Sequence, residues 1–155
     1  MSKIVYSYYC LDIIHSGHLL MMKNAKALAG KDGQLIVGVL TDEAVMEKKP
    51  KPILSFSERM RIAEAIKYID IVVPQTTYSP LPNCESIRPH ILAESDSHSK
   101  DSILEAKATL NKWGGKIVVF PYYPFQSSTG IKKRIKRKSK EKINEGYNTS
   151  SKYTT

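Results

Sequence analysis

Apolar residues along the chain occur in five short runs that are separated by longer polar or mixed segments. These runs are rich in β-branched and aromatic residues, and the second, QLIVGVL, is apolar on both faces, which is typical of a strand buried inside a parallel sheet. We predict five strands, at residues 3–9, 34–40, 70–74, 90–94 and 116–120, the third of them closed by Pro74.

The segments between the runs have the signals of helices. Residues 18–29 place apolar side chains on one face, and Ser55 to Glu58 form a capping box that begins a helix reaching about residue 68. Two further helices are predicted at residues 100–113, before a Gly-Gly stop, and from residue 127 to about 138. Strands that alternate with helices form parallel β-α-β units with right-handed crossovers. The predicted fold class is therefore α/β, a Rossmann-like doubly wound parallel five-stranded sheet with helices on both faces.

The net charge of +9, from 24 basic and 15 acidic residues, is concentrated at the C-terminal end. Residues 131–155 carry nine Lys or Arg and two Glu, a net of +7, so the rest of the chain is nearly neutral. Beyond about Lys142 the sequence is polar and lacks periodicity, which predicts disorder. Such a run can contact nucleic acid, but it is more often a solvated end or a linker, so a nucleic-acid partner is not expected.

No apolar run approaches the roughly 20 residues that span a bilayer. The first residues lack the apolar core of a signal peptide. Cys10 and Cys84 form no Cys-x-x-Cys pair and suit a reducing compartment. We expect a cytoplasmic protein with no membrane partner.

The segment DIIHSGH, residues 12–18, lies between the first strand and the first helix. Ligands of such sheets bind beyond the carboxyl ends of the strands, where strand order reverses. His15 and His18 are about one helical turn apart, so both rings can face one object, and a helix N-terminus favours an anion such as phosphate. Gly17 is expected to let that anion approach the backbone. Neutral imidazoles would donate hydrogen bonds to phosphate oxygens, most strongly as charge builds in a transition state.

The two histidines could also have other roles. A zinc site needs three or four ligands, and the other histidines and cysteines lack ligand spacing, so no protein-bound metal is expected. The absence of a G-x-G-x-x-G fingerprint argues against a dehydrogenase. Two incidental histidines at a helix start remain an alternative on this motif alone.

The motif resembles the H-x-G-H signature of the nucleotidyltransferase superfamily, and three further segments follow in order. LIVGVLTDEA (35–44) resembles the second strand and turn of cytidylyltransferases, and SFSERMRIAEAIKYIDIVVPQ (55–75) their arginine-containing helix and next strand. Residues 113–135 are similar to their final strand and Ser/Thr-headed helix. The resemblance is strongest to the cytidylyltransferase domain joined to phosphoenolpyruvate mutases in phosphonate biosynthesis. It predicts a nucleotidyltransferase domain at 1–135 and a basic, polar tail or linker at 136–155.

The resemblance implies transfer of CMP from CTP to a small phosphonate such as 2-hydroxyethylphosphonate, with release of pyrophosphate. Mg²⁺ is expected with CTP, bridging its phosphates and keeping several waters. His15 and His18 would hold the triphosphate and its transition state. Lys49, with Lys48 and Lys51 as rivals, would reach the phosphates from a loop unless that loop is simply solvated. Arg59 would face the site, the alternative being a surface arginine.

The resemblance also implies nucleotide contacts from the turn between the first strand and the first helix, from Asp96 and from the head of the last helix. Asp12 would contact metal-bound water or loop backbone, or cap the loop. At the helix head, hydroxyl and N–H groups would bind the β- or γ-phosphate, unless a serine there is a plain N-cap. The remaining positions in this set are Tyr9, Cys10, Leu11, Ser127, Ser128 and Thr129.

Three stretches depart from the family pattern. Tyr9-Cys10-Leu11-Asp12 replaces G-T-F-D, 95–98 replaces G-D-D-W with His98 in the tryptophan position, and 123–126 replaces T-E-G-I. These positions shape the base and acceptor pockets, so three alternatives stay open: a phosphomonoester acceptor (glycerol 3-phosphate, ethanolamine phosphate or choline phosphate), adenylyl transfer, and a non-catalytic nucleotide-binding module of a larger protein. A fused or associated phosphonate-biosynthesis enzyme and a homodimer are the partners that the resemblance suggests.

Overall fold

A computed structural model of the chain describes residues 2–121 and 123–150, and these form five strands and six helices. The strands are β1 Ile4–Tyr9, β2 Gln34–Leu40, β3 Ile71–Gln75, β4 Ile91–Ser95 and β5 Lys116–Phe120. The helices are α1 Ser16–Ala29, α2 Asp42–Met46, α3 Phe56–Glu64, α4 Leu81–Ile87, α5 Lys100–Asn111 and α6 Ser128–Ser150. No helix in this part of the chain is long and apolar enough to cross a membrane.

All five strands are parallel and lie in the order β3-β2-β1-β4-β5. The chain leaves β1 toward β2 on one side and later returns to place β4 on the other side, so strand order reverses between β1 and β4. Crevices at such a reversal are the usual ligand sites of open α/β sheets. The predicted fold class is confirmed.

Alternation along β1 gives the sheet two apolar faces. Val5 faces a core formed with α1 and α3, which includes Met22 and Ala63, whereas Tyr6 faces a second core formed with α4 and α5, which includes Leu110. Central strands covered on both faces are apolar throughout, and all of β2 after Gln34 is buried. The sheet is therefore a fixed platform for the loops at its carboxyl edge.

Several element boundaries differ from the prediction. Helix α3 ends at Glu64 because the next residues turn, through bonds such as Ile69 N–H to Ile66 O, to place Ile66 and Ile69 in the core before β3. Strand β3 continues through Pro74, which faces Val39 of β2, because β3 is an edge strand where a proline is tolerated. Helices α2 and α4 were not predicted, since five and seven residues are too few for a periodic signal.

The disorder predicted beyond about Lys142 is wrong for residues 143–150, which continue α6, and this helix therefore extends past its predicted end at about residue 138. Lys, Arg and Glu are strong helix formers, and Arg137 and Glu141 form an i,i+4 pair at 3.5 Å. Side chains at 136–145 are exposed, so polarity indicated solvation correctly but not loss of secondary structure. Residues 151–155 lie outside the described residues, and the function of the segment as a tail or linker stays a prediction.

Candidate active site

The two motif histidines cap the N-terminus of α1, and backbone N–H groups fix the tautomer of each ring. His15 Nδ1 accepts a hydrogen bond from the Gly17 N–H at 3.0 Å, and His18 Nδ1 accepts one from the His15 N–H at 3.2 Å. A neutral imidazole that accepts through Nδ1 carries its proton on Nε2. The ring centroids are 4.0 Å apart. The geometry therefore provides two adjacent Nε2–H donors.

Both imidazoles are neutral at neutral pH. Burial, together with the neighbouring His15, lowers the pKa of His18 to about 4. Burial also lowers the pKa of His15 below its ordinary value. Because neither ring binds a second proton near pH 7, the backbone amides keep their acceptors and the capping arrangement persists.

A cavity of about 770 Å³ lies at the carboxyl edge of the sheet, between the N-termini of α1 and α6. Its volume is in the range of small-molecule and cofactor sites. Most of the predicted site residues line it: Tyr9, Cys10, His15, Gly17, His18, Lys49, Ser127, Ser128 and Thr129. Leu11, Asp12, Arg59 and Asp96 do not.

The head of α6 is tied to the H-x-G-H turn by its hydroxyl groups. Ser127 Oγ accepts from the Gly130 N–H at 3.0 Å, which is the contact of an N-cap residue. Ser128 Oγ donates to the Ile13 carbonyl at 2.6 Å. The N-terminus of α6 thus faces the same cavity as the histidines, with Thr129 on its wall.

Asp12 holds the loop before α3 and also pairs with α6. Its carboxylate accepts from the Ile53 and Leu54 N–H groups at 3.0 and 2.8 Å, and it forms an ion pair with Lys132. Burial alone would raise the pKa of Asp12, but the Lys132 ammonium and the two amides outweigh burial and lower it. Of the roles considered for Asp12, contact with loop backbone is the one present in the structure.

Arg59 does not face the cavity, nor is it a surface residue. Its side chain is fully buried and donates to the carbonyls of Leu40 and Cys10, at 2.5 and 2.7 Å, and to Asp42 at 2.7 Å. Arg59 therefore links the carboxyl ends of β1 and β2 without lining the cavity. The helical spacing that places Arg59 on the same face as Ala63 is the sequence signal that indicated burial.

The space beside Gly17 is filled by aromatic rings rather than left for an anion. A Cβ at this position would lie 2.6 Å from Tyr123 Cδ1 and 2.8 Å from His15 Cε1. The Tyr123 ring is nearly parallel to that of His15, with centroids 6.4 Å apart. Glycine is therefore needed for the His15–Tyr123 contact, and Tyr123 is a cavity residue that the motif did not reveal.

The other predicted residues take different positions. Leu11 is buried with φ of 58°, a left-handed conformation that turns the chain out of β1. Asp96 is exposed outside the cavity, and its N–H donates to Phe120 O. Of the three candidate lysines only Lys49 lines the cavity, whereas the Lys48 ammonium lies 4.7 Å from the centre of the Tyr78 ring.

A second group of polar side chains, Tyr8, Glu94 and His98, also lines the cavity. Among them, only His98 was singled out from the sequence. The Tyr8 hydroxyl donates to both oxygens of Glu94, at 3.0 and 3.1 Å, and His98 Nε2 lies 3.3 Å from Glu94 Oε2. Burial raises the pKa of Glu94 to about 7, although the Tyr8 hydroxyl opposes this shift. The pKa of His98 is lowered by burial and then by the charges of Lys49 and Lys48. The sequence feature that could have identified this group is a glutamate near the end of an otherwise apolar strand, β4.

Metal ligands are not grouped in the described residues. Nowhere in residues 2–121 and 123–150 do three or more His, Cys, Asp or Glu side chains form a group that could hold a metal ion. Besides Glu94, the polar groups that line the cavity include imidazole, hydroxyl, ammonium and backbone N–H groups, which suit a polyanionic ligand.

A parallel α/β sheet with paired histidines at the start of the first helix is the arrangement that the resemblance to H-x-G-H proteins predicts, and the comparison with protein families agrees. Residues 10–134 match the family described as cytidylyltransferase-like, so the chain belongs to that family.

Named relatives extend this assignment. The FAD synthase of Korarchaeum cryptofilum is 36% identical over 126 residues, which cover 80% of this chain and 85% of that protein. The bifunctional protein HldE of Magnetococcus marinus is 30% identical over 135 residues, 86% of this chain, and the chain spans about 27% of its length. A lipopolysaccharide core biosynthesis protein from Thermoplasma volcanium has the same fold, with a TM-score of 0.66 at 20% identity over 80% of this chain and 98% of that one.

Proposed function

We propose that the protein transfers CMP from CTP to a small phosphonate, such as 2-hydroxyethylphosphonate, and releases pyrophosphate. The observation that carries nucleotidyl transfer is the pair of neutral imidazoles whose Nε2–H groups are left free to donate inside the cavity. The phosphonate acceptor is supported by the resemblance to mutase-linked domains, which also depart from G-T-F-D at the β1–α1 turn.

The proposed reaction is an in-line displacement at the α-phosphorus of CTP. A phosphonate oxygen attacks that phosphorus, the bond to the bridging oxygen of the β-phosphate breaks, and pyrophosphate leaves with the electron pair. Since the nucleophile is already an anion, the protein's task is positioning and charge stabilisation. His15 and His18 donate to the crowded phosphoryl oxygens, while Lys49 and the N-terminus of α6 hold the remaining phosphates.

Mg²⁺ fits this site as an ion carried by the nucleotide. Asp12 is not among the residues that line the cavity and pairs instead with Lys132 and two loop amides, so triphosphate oxygens and water would be the ligands of the ion. The ion supplies charge neutralisation on the triphosphate. The residues on this side of the cavity contribute donors rather than metal ligands.

The test is pyrophosphate release with Mg²⁺, with each of CTP, ATP, GTP and UTP paired with phosphonate and phosphomonoester acceptors. Activity with CTP and 2-hydroxyethylphosphonate is expected. Loss of one imidazole, in His15→Ala or His18→Ala, should lower turnover by about 10²–10³, as removal of an oxyanion donor does. His90→Gln, a substitution outside the cavity, is the matched control and should keep turnover. Turnover by both site variants at the wild-type rate would refute the proposed role of the histidines.

Adenylyl transfer is a second candidate, favoured by the 36% identity to an FAD synthase. FAD contains an adenine nucleotide joined to a phosphorylated flavin through a diphosphate, so the same chemistry with ATP would produce it. The panel therefore includes FMN with each nucleotide. Pyrophosphate release from ATP and FMN, without release from CTP, would replace the cytidylyl proposal by this one.

A further inference from the structure

The cavity has two sides, because successive residues of β1 face opposite sides of the sheet. The Tyr9 ring contacts His18 edge-on, with centroids 6.2 Å apart, whereas Tyr8 lies beside His98 at 5.8 Å. The proposed reaction places the triphosphate on the Tyr9 side. It leaves Tyr8, Tyr78, Glu94 and His98 without a role. We call their side of the cavity the Glu94 compartment; it also includes Lys49, which is already assigned to the phosphates.

Glu94 has more hydrogen-bonding capacity than the protein uses. Its side chain is only 5% exposed, and among the described residues it contacts the Tyr8 hydroxyl and His98. A carboxylate offers about four lone-pair sites, so capacity remains for a donor in the cavity. Burying an acceptor without its full set of partners is costly, and a ligand that supplies a donor recovers that cost.

The same compartment has a positive side. Lys49 lines it, and the charges of Lys49 and Lys48 are near enough to His98 to lower its pKa. A small acceptor bound there meets an ammonium at one end and the Tyr8–Glu94–His98 cluster at the other. These two ends match a molecule with an anionic group and, a few atoms away, a hydrogen-bonding group.

We propose, resting on the proposed function, that the Tyr8–Glu94–His98 cluster binds a hydroxyl at the end of the acceptor opposite its phosphonate or phosphate. A hydroxyl both donates to Glu94 and accepts from the imidazole. An acceptor with a methyl group at this end gives the cluster no hydrogen-bonding partner. An acceptor with an ammonium group can donate but not accept, and the positive charges of Lys48 and Lys49 repel it. The cluster is therefore a specificity determinant that selects hydroxylated acceptors.

The test compares the binding of three acceptors that differ only at this end: 2-hydroxyethylphosphonate, ethylphosphonate and 2-aminoethylphosphonate. Titration calorimetry is run on the full chain saturated with α,β-methylene-CTP, which cannot be cleaved at the relevant bond. The wild type is expected to bind the hydroxyl compound at least about tenfold more tightly than either analogue, because unpaired buried polar groups disfavour the wrong ligand. Glu94→Met should reduce this preference to within about twofold, whereas Glu105→Met, an exposed glutamate of α5, should keep it.

The preference is a ratio measured within one folded variant, so general damage to the fold does not mimic its loss. Equal binding of the hydroxyl and ethyl compounds by the wild type, no binding of any of them, or tightest binding of the amine would overturn the inference. So would a preference that survives in Glu94→Met. The proposed function fails separately: a hydroxyl preference without pyrophosphate release from CTP would refute cytidylyl transfer and keep the cluster's assignment.

Discussion

Replacing Arg59 by methionine tests whether this residue supports the site or takes part in the chemistry. Methionine keeps most of the length of the side chain but removes the guanidinium. The substitution leaves the carbonyls of Leu40 and Cys10 without their donor and Asp42 without its cation. Arg59→Met should therefore destabilise the fold rather than act on a bound ligand.

The size of the effect follows from burial. Breaking a buried pair costs about 3–5 kcal/mol when the remaining charge stays buried. The Arg59 side chain is fully buried, but that of Asp42 is 25% exposed and can be partly rehydrated, which favours the lower end. A loss of about 3 kcal/mol in a chain of this size lowers the melting temperature by about 6–12 °C.

The assay is thermal denaturation together with urea unfolding, and the matched control is Arg61→Met. Arg61 is on the same helix but exposed, so its loss should shift the melting temperature by no more than about 2 °C, as for surface substitutions. If Arg59→Met and Arg61→Met melt together, the reasoning from burial is refuted. A variant that melts like the wild type and loses turnover would instead show that Arg59 acts on the substrate.

Three further predictions concern the cavity. Gly17→Ala should lower pyrophosphate release at least about tenfold, as displacement of catalytic groups does, because the new Cβ would lie 2.6 Å from Tyr123 Cδ1; wild-type turnover would contradict this. Because Glu94 has a pKa of about 7 when folded and an ordinary value of 4.5, the free energy of unfolding should fall as pH rises between these values. Urea unfolding at pH 5 and 8 should show this fall in the wild type and not in Glu94→Gln. His18 has a pKa of about 4 when folded and an ordinary value of 6.5, so the free energy of unfolding should instead fall as pH drops between these values. If the free energy of unfolding of His18→Gln falls with decreasing pH as steeply as that of the wild type, this prediction is wrong.

Features that depend on local pattern could be predicted from the sequence. The bounds of β2 and β5 agree with the apolar runs, and the capping box of Ser55 and Glu58 forms as expected. The H-x-G-H turn lies where strand order reverses, because that position follows from connectivity alone.

Features that depend on contacts between residues distant in the chain could not be predicted from the sequence. The Tyr8–Glu94 bond joins residues 86 apart, and no periodicity within either segment encodes it. The family resemblance places Arg59 in the site, and the carbonyls that accept its hydrogen bonds cannot be identified from the sequence. The length of α6 was not predicted because high charge indicates only that a segment is solvated. A helix whose side chains are exposed is solvated as well as a disordered segment is.

The contacts of Asp12 have a consequence for the order in which the site is completed. This single carboxylate joins residues 41, 42 and 120 positions further along the chain. During synthesis, the H-x-G-H turn and the loop that carries Lys49 emerge early, but Lys132, which links Asp12 to α6, emerges only after all five strands. The wall of the cavity that α6 provides is therefore not in place until that helix has docked.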